Sequence, residues 1–165
     1  MMRPRFLLWV GFAVVVAVLD QLTKQLMLHW LAEGERVPIT DFFSLVLLYN
    51  RGAAFSFLAE HSGWQRWFFV ILAAVICAWL LRLTWQHQRE RLQPFAFSLI
   101  VGGAVGNVVD RLWHGAVVDF LFFHAGRYGW PAFNLADSAI TVGVGLMLWA
   151  QLRESRRPPA QENQS

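Results

Sequence analysis

The sequence predicts an all-α membrane fold: four transmembrane helices, with short strands and an interfacial helix in the loop between the first two. Three observations carry this reading. Of the 165 residues, 56% are hydrophobic and only 15% charged, more apolar surface than a soluble domain of this size can hide. The charges leave four apolar stretches near the ~20 residues that a helix rising ~1.5 Å per residue needs to cross ~30 Å of hydrocarbon. Basic residues collect on one side of that layout, as the positive-inside rule requires.

The first span runs from about Phe6 to His29. A cleaved secretory signal is the competing reading, since Arg3 and Arg5 precede an apolar stretch; that stretch runs into Asp20-Gln-Leu-Thr-Lys24 with no small-residue cleavage site, which favours an uncleaved span. The loop from Trp30 to Arg66 is too long for a plain link. Within it Phe42 to Tyr49 reads as one or two short strands on the membrane surface, Asn50-Arg-Gly52 as a turn, and Ala53 to Arg66 as a short interfacial helix.

Spans two to four follow at about Trp67–Trp85, Pro94–Trp113 and Leu135–Leu152. Pro94 suits a first helical turn, where its missing N–H costs nothing. The loop from Gly115 to Asn134 is aromatic and glycine-bearing, and with the first loop it looks like a lid or cradle at the interface. Arg3, Arg5, Arg82, Arg89, Arg91, Arg153, Arg156 and Arg157 share one side, which places both termini in the cytoplasm. Tryptophans gather at the span ends, where an amphipathic indole sits at headgroup level. Residues 1–157 read as one domain, and Pro158 to Ser165 as a disordered cytoplasmic tail.

This composition excludes several function classes. The net charge of +3 reflects the inner loops and tail and calls for no nucleic-acid partner. Cys77 is the only cysteine, so the chain has no internal disulfide, and it sits in an apolar run as a packing residue. The five histidines lack metalloprotease spacing, and no metal or other cofactor is expected. Serine-hydrolase and nucleotide-binding motifs are absent.

What remains is a set of polar residues at one depth. Ionisable groups in a bilayer are costly unless paired, hydrated or neutralised, so each asks for a function. Asp20 and Lys24 lie one turn apart in the outer half of span one and can pair. Asn107, Asp110 and Arg111 end span three, Asp119 follows, and Asn134 and Asp137 open span four. Each has a bland reading. Asp20 with Lys24 is an ion pair that lets the helix cross, Asp110 with Arg111 a local charge pair at a helix end, and Asn134 with Asp137 a capping box. Asp119, in a run of Val and Phe, has no such explanation, and desolvation favours its neutral form. Gly102-x-x-x-Gly106 reads as a packing face.

Five segments together resemble the signal peptidase II family of bacteria: Asp20-Gln-Leu-Thr-Lys24, Asn50-Arg-Gly-Ala-Ala-Phe55, Gly102-Gly-Ala-Val-Gly-Asn-Val-Val-Asp-Arg111, Gly115-Ala-Val-Val-Asp-Phe120 and Phe133-Asn-Leu-Ala-Asp137. The resemblance implies a four-helix inner-membrane aspartyl protease with a small extracytoplasmic β-cradle and a surface helix. Its substrate is a prolipoprotein, cut on the amino side of a diacylglyceryl-modified cysteine at the outer face of the membrane. The family's catalytic dyad falls on Asp119 and Asp137. Its substrate-binding and supporting positions fall on Asp20, Lys24, Asn50, Gly52, Asn107, Asp110, Arg111, Asn134 and Ala136. Membrane lipid and the lipidated substrate are the expected partners, with no obligate protein partner and a monomer sufficient.

Chemistry supports a dyad independently of the resemblance. Two carboxylates sharing a site do not easily both ionise, so the pair holds one proton and can act as base and acid. The competing classes are a proton-coupled transporter with an aspartate relay and a structural subunit. A relay needs acids toward both faces, whereas these gather at one.

Overall fold

The computed structural model describes residues 4–52 and 63–155. Along the chain the elements are α1 (Pro4–Trp30), β1 (Arg36–Thr40), β2 (Phe43–Asn50), α2 (Trp64–His87), α3 (Leu92–His114), β3 (Val117–Ala125), β4 (Tyr128–Gly129) and α4 (Leu135–Ser155). All four helices are long and apolar enough to cross a membrane. Each runs a few residues beyond at least one end of the span expected for it.

The bundle is built around α3, which packs against α1, α2 and α4. Of its most apolar stretch 56% is buried, against 11–22% for the other three helices. Small residues let α3 take this central place. A Cβ at Gly102 meets Ala13 O and Val16 Cβ of α1 at 2.6 Å, and one at Gly103 meets Ala136 O of α4 at 2.5 Å. The apolar core of Ala13, Leu80, Phe97, Ile100 and Val101 fills the space between α1, α2 and α3. Outward, Leu8, Leu22, Ile71, Val75 and Leu148 are exposed. Such a surface is stable only where lipid replaces water, and the protein is an integral membrane protein.

At one end the strands form an antiparallel sheet in the order β1-β2-β3-β4. The expected strand at Phe42–Tyr49 is β2. The edge strand β1 was not expected from Arg-Val-Pro-Ile-Thr, which lacks alternation and holds Pro38, a residue that an edge strand tolerates and a central one does not. The loop after α3, expected with the first loop to form a lid or cradle, carries β3 and β4. Gly115, at φ 76°, ends α3 by donating its N–H to Arg111 O at 3.1 Å, a left-handed cap that turns the chain into β3 within two residues. The interfacial helix expected at Ala53–Arg66 falls largely on residues 53–62, outside the described residues; its last residues instead open α2. The tail expected at 158–165 also lies outside them.

Where β2 meets β3 the register shifts between Leu45, opposite Leu121, and Leu48, opposite Asp119. The extra residue on β2 is a bulge beside Asp119, and bulges re-aim neighbouring side chains. Beyond it Asn50 pairs with Val117, which makes it the diagonal neighbour of Asp119.

These contacts make helix approach testable. Gly102→Val is expected to destabilise the bundle by about 1–3 kcal/mol through overpacking. Gly11→Val, where a Cβ meets nothing within 4 Å, is the control. Thermal unfolding in one detergent should show a lower midpoint for the first variant only.

Candidate active site

Below the sheet, α1, α3, β3 and α4 bring their polar residues into one connected network. Its centre is Lys24, 1% exposed. The ammonium has three donors, and each has an acceptor: Asp20 Oδ2 at 2.7 Å, Asp110 Oδ2 at 2.8 Å and Asn107 Oδ1 at 3.0 Å. The predicted pair of Asp20 and Lys24 is present. The predicted local pair of Asp110 and Arg111 is not what forms: Asp110 faces Lys24 across the bundle, because its helix face points inward. Arg111 donates to Asn107 O at 3.3 Å and lies over the Phe69 ring at 4.8 Å.

Each carboxylate of this triad also holds a backbone end. Asp20 Oδ1 accepts the Ala136 N–H at 2.8 Å, taking up a donor that the first turn of α4 leaves unpaired. Asp110 Oδ2 accepts the Val118 N–H of β3 at 3.0 Å. Gln21 completes the set by donating to Asp110 Oδ1 at 2.7 Å and to Gly106 O at 3.1 Å. Residue-type reasoning passed over Gln21; its place beside Asp20, on the helix edge facing α3, was the available signal. Gly106 was read as packing only. A Cβ there runs into Asp20 Oδ2, so the glycine also makes room for the carboxylate.

Two asparagines lead from the triad to Asp119 and Asp137. Asn107 donates through Nδ2 to Asp137 Oδ1 at 2.7 Å. Asn134 donates through Nδ2 to Asp119 Oδ1 at 2.7 Å, while its Oδ1 accepts the Asp137 N–H at 2.9 Å. Half of the expected capping box is therefore present: Asn134 caps α4, but the Asp137 carboxylate turns to Asn107 instead of closing the box. Asn50 donates to Asp119 Oδ2 at 3.0 Å and accepts the Gly52 N–H at 2.9 Å. Gly52 thereby sets the turn that presents Asn50, at a φ of 99° and with Phe69 Cε2 2.9 Å from where a Cβ sits; only glycine suits that place.

The two aspartates differ in environment. Asp119 is buried and Asp137 half-buried. Burial pushes the Asp119 carboxyl up to about 7, with the Asp137 charge adding to the rise and the amides of Asn50 and Asn134 opposing it. Asp137 stands in the first turn of α4, where the helix dipole favours negative charge. The two carboxyls thus differ in burial and in the element that carries them.

The sequence profile of a family described as signal peptidase (SPase) II matches residues 12–153. A lipoprotein signal peptidase from Azoarcus sp. is 70% identical over 160 residues, spanning 95% of this chain and 91% of the relative. One from Cupriavidus taiwanensis is 55% identical over 151 residues, 92% of this chain and 86% of the relative. A solved bacterial membrane enzyme, determined in meso at 2.3 Å resolution, superposes with a TM-score of 0.80 at 31% identity over 93% of each chain.

The triad geometry sets an expectation for stability. Lys24→Met leaves the buried Asp20 and Asp110 without their cation and should cost about 3–5 kcal/mol. Adding Asp20→Asn and Asp110→Asn to that variant should restore part of the loss. Chemical denaturation in mixed micelles measures both, and an unchanged midpoint in Lys24→Met would remove Lys24 from the centre of the network.

Proposed function

The chain belongs to the signal peptidase II family, and we propose that Asp119 and Asp137 are its catalytic dyad, in an aspartyl endopeptidase that cuts prolipoproteins on the amino side of a diacylglyceryl-modified cysteine. Membership makes the protein a protease that removes signal peptides from prolipoproteins. The aspartyl mechanism rests on one observation above the others: Asp119 and Asp137 are joined through Asn134, which bonds the carboxylate of one and the N–H of the other.

In this reading Asp137 is the base and Asp119 the acid. The Asp137 carboxylate takes a proton from water while the water oxygen bonds to the scissile carbonyl carbon, and protonated Asp119 gives its proton to the carbonyl oxygen. The tetrahedral diol then collapses. Its hydroxyl proton returns to Asp119, the C–N bond breaks, and the leaving nitrogen takes the proton held by Asp137. Asn107 and Asn134 hold the two carboxyls in place throughout, and Asn50 fixes the second oxygen of Asp119. Asp20, Lys24, Asp110, Gly52 and Ala136 act at one remove, by positioning those amides and the start of α4. Arg111, with its guanidinium over the Phe69 ring, is a further cation within electrostatic reach of Asp137 and Asp119.

Substrate logic suits a site at the end of a bundle. A signal segment is itself an apolar helix, and its lipidated cysteine is held at the interface by acyl chains. We place the enzyme in the bacterial inner membrane, with both termini cytoplasmic and the dyad toward the outer face. The support is the basic residues at the end opposite the sheet. Residues 1–157 then form one four-span protease unit, sufficient as a monomer.

Asp119→Asn and Asp137→Asn should each lower cleavage of a diacylglyceryl-modified prolipoprotein by at least ~10³-fold, on the scale of losing a general acid or base, with helicity unchanged by circular dichroism. Full cleavage by either variant would remove that residue from the dyad. The wild-type rate should fall as pH rises through about 7, where Asp119 loses the proton it must donate. Asn50→Ala removes a bond that favours the charged form. It should therefore lower the rate and move this alkaline limb upward; a limb that stays put, or moves down, would contradict Asp119 as the acid.

A further inference from the structure

At the sheet end of the bundle, α2 meets the site through the ring of Phe69. That ring lies against the turn that presents Asn50, its Cε2 2.9 Å from the place of a Cβ on Gly52. It also carries the Arg111 guanidinium, 4.8 Å from the ring centroid and within the ~6 Å at which the negative face of an aromatic ring attracts a cation. One turn earlier on α2, Arg66 donates to Leu112 O at 2.7 Å. This bond ties the start of α2 to the last turns of α3 and so sets the ring beside Arg111.

Arg111 is within electrostatic reach of Asp137, Asp110 and Asp119. Among the described residues it ion-pairs with none of them, and the ion pairs present are those of Lys24. Its guanidinium donates instead to Asn107 O at 3.3 Å. A guanidinium offers five donors in a fork that fits a carboxylate, so a long side chain this near to three carboxylates turns to one of them unless it is held elsewhere. The ring face and the Asn107 carbonyl supply that hold. The charged groups around Asp119 are then Lys24 on α1, Asp110 and Arg111 on α3, and Asp137 on α4. From β2 and the start of α4 it meets the neutral amides of Asn50 and Asn134.

We propose that Phe69 is a positioning residue of this site: its ring holds the Arg111 guanidinium off Asp119 and Asp137, so that the cation stays near both carboxyls without pairing with either. A guanidinium bonded to Asp119 would hold that carboxyl ionised, and the proton assigned to it in cleavage would be lost. The purpose of the hold rests on the reading of Asp119 as the acid; the hold itself does not. Packing alone predicts the opposite effect. If Phe69 only supported the Asn50 turn, its loss would free a bond that favours the charged form of Asp119, and the carboxyl would keep its proton to higher pH. Release of Arg111 makes it lose the proton at lower pH.

Infrared titration of the purified full chain in detergent, following the carboxyl band that Asp119→Asn removes, separates the two directions. Phe69→Leu keeps an apolar side chain but no ring face, and should lower the midpoint by about one pH unit or more. Phe69→pentafluorophenylalanine keeps the shape of the ring and its contact with Gly52 but not the negative face; it should lower the midpoint too, and it carries the test if Phe69→Leu loses helicity. Measured against Arg111→Gln alone, neither change at Phe69 should lower it. A midpoint that stays or rises in the fluorinated variant, or that falls as far when Arg111 is absent, would overturn the proposal. If the midpoint falls as expected while Asp119→Asn still cleaves prolipoprotein in full, the hold on Arg111 stands and the assignment of Asp119 as the acid is what fails.

Discussion

A single buried ammonium organises this protein. Lys24 reaches across from α1, and its three donors bind Asp20 on its own helix and Asp110 and Asn107 on α3. Through those partners it governs elements that it does not touch: Asp20 holds the first turn of α4 and Asp110 the start of β3. Buried charges are tolerable only when paired and hydrogen-bonded in full, and here every donor of the cation is taken. The aqueous alternative is expensive inside a bilayer, so the network resists exchange with water. Its geometry is therefore shared by four segments, α1, α3, β3 and α4.

The remainder of the bundle supplies adhesion without direction. Contacts such as those among Leu80, Phe97 and Ile100 would accept small rotations, since lipid is as apolar as leucine and gives helices no strong preference for one another. Glycines at the α3 surface bring backbones close, and hydrogen bonds then select the rotation. Gly106 does both, lying against the Asp20 carboxylate. The sheet adds a second constraint. The β2 bulge and the Asn50 turn present Asp119 from above while Asn134 holds it from below.

Much of this was legible along the chain because hydrophobic length and i,i+4 charge spacing are local properties. The four spans and the Asp20–Lys24 pair follow from them directly. The pairing of Asp110 was misjudged for the same reason: Arg111 is its neighbour in sequence, but the neighbour in space is set by the rotation of α3, which no local pattern reports. Strand β1 escaped because an edge strand with a proline carries no alternation. The proposal of Asp119 and Asp137 as a dyad came from the five segments taken together; what no spacing revealed was that Asn134 serves two aspartates at once, one through its Nδ2 and the other through its Oδ1.

The use of amides between the triad and the dyad has a physical consequence. If Lys24 touched Asp119 or Asp137 directly, the cation would hold that carboxyl ionised, and a pair that is to donate as well as accept would lose its proton. Asn107 and Asn134 stand in between. They transmit position through short hydrogen bonds and carry no net charge, so the Lys24 cation is the weakest of the influences on Asp119 while burial remains the strongest. Charge secures the scaffold, neutral amides pass its geometry on, and desolvation is left to favour the protonated form of Asp119. In the proposed mechanism, an enzyme built this way holds its site at the end of a membrane bundle without fixing the protonation state that the chemistry must change.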